Sequence, residues 1–243
     1  MKKNLLLLFI LISPFAWCQE HLKHEQWTSL LKKHVDESGN VDYAGLKEDE
    51  TQLDAYLKVL SNHHPRASWN KNDQLAFWIN AYNAFTVKLI VKHYPVKTIK
   101  ELGGSIYKIN TPWDIKFIKI GEETYDLNNI EHGIIRKEFN EPRIHFAVNC
   151  ASVSCPKLRN EAYVGSKLEA QLEDQTKSFI NNSTKNNIKK KTANLSKLFR
   201  WFKGDFEQGK TSVIDFINKY ADTKITKKTK IEYLDYDWNL NEK

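Results

Sequence analysis

The stretch "DQLAFWINAYNAFTVKLIVKHY", Asp73 to Tyr94, constrains the fold more than any other part of the chain. Its first half carries apolar side chains on every side of a 3.6-residue turn, so a helix formed here has no face to give to water. Pro95 ends it, since proline supplies no N–H and disfavours the α conformation in the residue before it. A helix buried all round needs other elements wrapped about it. Hydrophobic residues make up 41% of the sequence, with 12 Phe, 10 Tyr and 7 Trp, which is enough material for that core.

The flanking segments read mostly as helices. "HLKHEQWTSLLKKHVDESG" spaces Leu22, Trp27, Leu30, Leu31 and Val35 helically and stops at Gly39, leaving His21, His24 and His34 on its surface. "VDYAGLKEDETQLDAYLKVLSN" offers a turn and then a helix through Leu53, Tyr56, Leu57 and Leu60. Further helices are expected at 125–139, 167–181, 195–206 and 211–221. "PRIHFAV" alternates, and the period of two predicts a strand with Ile144, Phe146 and Val148 on one face. Residues 186–196 read as a hairpin and "KIEYLDY" as a final strand. The expected class is α+β: a mostly helical single domain whose buried central helix packs on a small antiparallel sheet. No internal repeat, low-complexity tract or Gly/Ser linker divides residues 19–243.

The chain begins "MKKNLLLLFILISPFAWCQE": two lysines, a short apolar run from Leu5 to Ile12, Pro14, then polar sequence. This pattern predicts an export signal over residues 1–18, and so a periplasmic or secreted protein without a membrane span. Cleavage after Cys18 removes that cysteine. The rival reading, lipidation of Cys18, is disfavoured by the bulky Trp17 before the cut. Losing Lys2 and Lys3 lowers the formal charge from +7 to +5. The remaining lysine clusters, at 189–191 and 224–230, lack interleaved aromatics and read as a solvated surface, so nucleic acid is not an expected partner.

Two asparagines interrupt the central helix. Asn80 and Asn83 lie three apart on one face among Phe77, Trp78, Ile79, Tyr82 and Phe85. A buried amide costs roughly 1 to 3 kcal/mol for each missing partner, so each must hold something. The choices are the backbone of a neighbouring loop, a catalytic side chain, or a substrate oxygen.

Taken in order, "FWINAYNAF", "IEHGIIR", "HFAVNCASVSCPKL" and "FRWFKGDF" resemble the family called domain of unknown function 547, over roughly Leu46 to Phe206. The resemblance implies no settled reaction, substrate or cofactor. It marks Trp78, Asn80, Tyr82, Asn83, Glu131, His132, His145, Cys150, Cys155, Pro156 and Asp205.

Cys150 and Cys155 admit several chemistries. As a nucleophile, Cys150 needs a base, and all eight histidines precede it in the chain, which excludes the order cysteine first, histidine downstream. His145 is five residues away, about 16 Å along an extended strand, whereas His132 sits on a separate helix that can pack against the strand end. Glu131 then points about 100° away from His132 on an α-helix and cannot orient it. That task would fall to Asn83, Asn80 or Asp205, although Asp205 also suits a cap or turn. Alternatively the two cysteines form a disulfide closing a six-residue loop, worth about 2 kcal/mol in chain entropy. An exchanging redox pair is less favoured by the four-residue spacing. Zinc ligands could be assembled only on paper from Cys150, Cys155, His132 and His145, without paired short spacing, so neither metal nor cofactor is expected.

Two functional expectations follow. One is a cysteine-dependent hydrolase or acyltransferase with Cys150 as nucleophile, His132 as base and Asn83 as orienter or oxyanion donor, and with Asn80, Tyr82, Glu131, His145 and Asp205 around a small-molecule or peptide ligand. The other is a non-catalytic binding or structural domain with a Cys150–Cys155 disulfide.

Overall fold

Four helices open the chain: α1 (Glu25–His34), α2 (Tyr43–Glu48), α3 (Glu50–Asn62) and α4 (Lys71–His93). The structure, a computed structural model, describes residues 22–103, 111–209 and 211–243; the expected export signal at 1–18, Cys18 included, lies outside the described residues. Helix α4 is the buried centre. Asn70 caps it by accepting from the Asp73 N–H at 2.9 Å, and Tyr94 turns extended ahead of Pro95. From Leu75 to Val91 every residue but Lys88 is buried, and Lys88 pairs with Glu50 and Asp54 of α3.

Helix α1 ends at His34, short of the expected Gly39. Val35 instead bridges to Val41, and Gly39 makes the turn between them with φ of +85°, where a Cβ would lie 2.4 Å from that of Lys157. His24 and His34, expected at the surface, are buried: His24 Nδ1 meets the Tyr56 hydroxyl at 2.7 Å, and His34 Nε2 meets Asp49 Oδ2 at 2.7 Å.

The strands are short. β1 (Ile118–Ile120) and β2 (Glu123–Tyr125) form an antiparallel hairpin. β3 (Asn187–Ile188) pairs antiparallel with β4 (Thr192–Leu195), which pairs parallel with β5 (Lys230–Tyr233), so the second sheet is mixed. The class is α+β. Helix α4 packs chiefly on α2, α3 and other helical segments. A four-residue strand covers about 13 Å and cannot sheathe a helix of about 35 Å.

After β2, residues Asn129–Ile135 form a π-helix continued by α5 (Arg136–Glu138). Then come α6 (Leu168–Asn181), α7 (Leu198–Trp201), α8 (Lys203–Phe206) and α9 (Val213–Tyr220), the last opened by a Ser212/Asp215 capping box. The helix expected over 195–206 is thus broken at Phe202.

Two apolar clusters result. One gathers α1–α4 with Ile118, Ile130 and Leu168; the other is built on Phe146, Phe179, Phe199, Phe206 and Phe216. They meet at 142–148. This segment, expected as a strand, is a 3-10 helix (Pro142–Phe146) led by Pro142 and capped by the Glu141 carboxylate on Arg143 N–H. Its alternation misled because both sides are buried: Ile144, Ala147 and Val148 enter the first cluster and Phe146 the second.

Candidate functional site

The cysteine loop follows that seam directly. Asn83 of α4 accepts from the Asn149 N–H at 2.8 Å and donates to the Ala147 carbonyl at 2.9 Å, so both halves of its amide are used on backbone. Asn80 does the same with the N–H and carbonyl of Tyr163. Neither contacts a histidine, and the expected orienting role of Asn83 passes to the loop's backbone. Asn149 continues the scaffold, accepting from Ala151 N–H and donating to the Pro156 carbonyl. Ala151 has φ of 59°, the left-handed region that a non-glycine residue enters only under constraint. The turn beginning at Cys150 is therefore held from both sides.

Both cysteines are thiols, with sulfurs 2.7 Å apart against about 2.05 Å for a bonded pair. Cys155 is buried and Cys150 half-buried. Cys150 Sγ also lies 3.3 Å from Ser152 Oγ and 3.3 Å from the Tyr236 hydroxyl, while its N–H donates to Cys155 Sγ at 2.9 Å. The S–H of Cys155 holds the Cys150 thiol below its ordinary value, against burial and with help from the two hydroxyls. Burial pushes Cys155 the other way, well up, and the neighbouring sulfur adds to this. The pair is thus asymmetric, with Cys150 the more acidic of the two thiols.

Cys150 opens into a cavity of about 190 Å³ between the two clusters, lined on one side by Tyr82, Trp113 and Val148 and on the other by Leu198, Trp201, Phe202 and Tyr236. Asn128, Glu131, His132, His145, Cys155, Pro156 and Trp238 complete it. A larger cavity, of about 530 Å³, opens beyond residues 152–157, but Cys150 does not line it.

Glu131 and His132 both reach the cavity, contrary to the α-helical expectation. Bonding i to i+5 widens the turn of the π-helix, so neighbours stand closer in angle than the about 100° of an α-helix. His132 Nδ1 lies 2.9 Å from Arg136 Nη1. Arginine can only donate, so Nδ1 accepts and the ring hydrogen sits on Nε2. A general base taking a proton at Nε2 would need the reverse, an Nδ1–H facing an acceptor. His132 is built as a donor, and among the described residues no histidine hydrogen-bonds either sulfur.

His145 is not 16 Å up a strand; the 3-10 helix rises only about 2 Å per residue and folds it back onto the cavity wall. It is sealed there, stacked on Phe202 with ring centroids 3.9 Å apart. Its Nε2 donates to Asp205 at 2.7 Å and its buried Nδ1 has no partner. Burial lowers its basicity, outweighing Asp205. Asp205 lies behind the wall and also takes two bonds from Arg136, at 2.6 and 2.9 Å, so one carboxylate fixes both histidines, His145 directly and His132 through Arg136. Burial alone would raise the Asp205 pKa, but His145 and Arg136 hold it well below the usual carboxylate range.

Arg136, Ser152, Trp113, Tyr236 and Trp238 were not singled out from sequence. Arg136 stands four residues after His132, a helical-neighbour signal, and Tyr236 and Trp238 share the parity of one strand face; Ser152 and Trp113 offered none. Among the described residues no group of three or more His, Cys, Asp or Glu is arranged to hold a metal ion, and no helix is long and apolar enough to cross a membrane.

Motif-bearing segments distant in sequence thus converge on one aromatic cavity around a thiol. Residues 66–180 match the family described as protein of unknown function, DUF547. The match is narrower than the span expected from the motifs, leaving Asp205 and the aromatic wall from α7 onward outside it. Comparison with curated proteins and with solved structures gives no match.

Proposed function

We propose that the protein is an exported, thiol-dependent hydrolase or acyltransferase with Cys150 as its nucleophile. The observation that carries this reading is the convergence of three donors, Cys155 S–H and the hydroxyls of Ser152 and Tyr236, on a half-buried sulfur in a cavity. As a thiolate, Cys150 attacks an acyl carbon. An S–C bond forms, and the bond to the leaving oxygen or nitrogen breaks, its electron pair and a proton from water going to the leaving group. Water, or an acceptor hydroxyl or amine, then attacks the thioester; the C–S bond breaks, sulfur leaves as thiolate, and the attacker's proton passes to solvent. His132, with its hydrogen on Nε2, acts as a donor to the developing oxyanion. Asp205 and Arg136 are positioning residues.

A second reading is favoured by the 2.7 Å between the sulfurs: a non-catalytic binding or structural domain in which the two thiols have given two electrons and two protons to an oxidised partner disulfide. Intact-mass analysis separates the readings. The protein, made with its leader, is alkylated without reductant before and after unfolding. Rapid native labelling at Cys150 supports the nucleophile. A mass two hydrogens below the dithiol, with no labelling in either state, supports the disulfide domain.

A further inference from the structure

Glu131 stands in the cavity with no side-chain partner among the described residues. It is 7% exposed, it lines the cavity, and among the described residues no hydrogen bond or ion pair reaches it. The nearby guanidinium of Arg136 is committed to Asp205 and His132. A side-chain carboxyl lining a cavity with no partner of its own is a site at which an incoming cation can pair.

The rest of the lining agrees. Among the described residues no lysine or arginine lines the cavity. Its aromatic side is a cluster of rings, Trp201 tilted against Tyr236 with centroids 4.8 Å apart, Tyr236 tilted against Trp238 at 4.6 Å, and Trp238 edge-to-face with Trp113 at 5.7 Å. Such faces carry negative potential and attract ammonium groups. The chain already uses one in this way, with Lys100 Nζ 3.8 Å from the centroid of Trp238. Trp201 remains 46% exposed. The volume of about 190 Å³ holds roughly six waters at about 30 Å³ each, so the guest is the size of a single side chain.

We infer that the cavity selects substrates carrying a protonated primary amine on a short aliphatic arm: the ammonium pairs with Glu131 against the Trp113 and Trp201 rings, and the arm brings its acyl carbon to Cys150. This inference rests on the reading of Cys150 as a nucleophile.

Three chloroacetamides of equal length test it: N-(3-aminopropyl)chloroacetamide, its neutral N-butyl counterpart, and N-chloroacetyl-β-alanine. In each, Cys150 sulfur displaces chloride; the S–C bond forms and chloride leaves with the C–Cl electron pair. Rates on the reduced native protein are read by peptide mapping and normalised to the unfolded chain. The cationic probe is expected to label Cys150 at least about tenfold faster than the neutral one, with the anionic probe slowest. E131Q should bring the cationic-to-neutral ratio within about threefold of one. Should E131Q fail to fold, W201L on the aromatic side should lower the same ratio several-fold. A wild-type ratio near one, an anionic preference, or a ratio unmoved by these substitutions overturns the amine inference and leaves the nucleophile standing. No labelling of Cys150 above the unfolded rate by any probe overturns the nucleophile, and this inference with it.

Discussion

Asn80 and Asn83, three residues apart on the buried helix α4, grip two different loops in the same way, each amide donating to a backbone carbonyl and accepting from a backbone N–H. The Asn80 grip fixes Tyr163. The Asn83 grip fixes the entry to Cys150, so the least exposed helix of the fold is what sets the position of its candidate nucleophile.

Asn83→Ala strands one buried N–H and one buried carbonyl. At roughly 1 to 3 kcal/mol per stranded group it should lose about 3 kcal/mol in urea denaturation. Asn83→Asp keeps the acceptor but turns a carboxylate oxygen against the Ala147 carbonyl in a buried site, and should cost at least as much at neutral pH. A loss below about 1 kcal/mol in Asn83→Ala would show that the loop holds itself.

Because Cys155 S–H holds Cys150 below its ordinary thiol value, alkylation of reduced Cys150 should rise with pH through a midpoint below that of the same cysteine in the unfolded chain. Cys155→Ala removes the donor and should move that midpoint upward. Tyr236→Phe should move it the same way by less. A midpoint lower in Cys155→Ala would contradict the assigned direction of the hydrogen bond.

Burial lowers His24 to about 4. The unfolded chain, with a histidine near 6.5, therefore takes up a proton that the folded one refuses, and stability falls as pH drops from about 6.5 towards 4. The full difference corresponds to about 3 kcal/mol. His24→Gln, which can still meet the Tyr56 hydroxyl, should flatten that part of the stability–pH curve. An unchanged slope between pH 4 and 6.5 would count against a buried neutral His24.

Asp205 acts in a different window. Its folded pKa is depressed, so its contribution is complete above the unfolded value near 3.9 and is lost as pH falls below it. Asp205→Asn should cost about 2 kcal/mol at pH 6, less than a fully buried pair because the side chain is 26% exposed. The gap between wild type and variant should close as the pH drops below 4. A gap that persists there would point to packing and not charge.

What the sequence made legible was whatever depends on local pattern. The all-round apolar run of α4 announced a buried helix, Pro95 its end, and the requirement that Asn80 and Asn83 hold something was correct in kind. Alternation at 142–148 could not distinguish a strand with one buried face from a 3-10 turn buried on two sides, because Ile144 and Phe146 are equally apolar whichever cluster receives them. Seven residues are too few for periodicity to separate a π-helix from an α-helix, so Glu131 appeared turned away from His132. Arg136 went unnoticed because a single arginine at a helix end usually faces water. Tyr236 could not be tied to Cys150 at all, since the contact spans 86 residues and is made by the fold.

That last contact bears on when the site comes into being. The walls supplied by Trp201, Tyr236 and Trp238, and the backbone bonds by which Asp237 and Asn239 receive the N–H groups of Ser154 and Val153, all come from chain made well after the cysteines. A polypeptide emerging from the ribosome amino end first can complete α4 and the Asn83 grip while Cys150 still lacks the Tyr236 hydroxyl and aromatic roof. Until then the sulfur has only its near neighbours in sequence, Cys155 and Ser152, as partners. The Tyr236 hydroxyl and the aromatic roof are added when the final strand and the residues beyond it fold back over the loop.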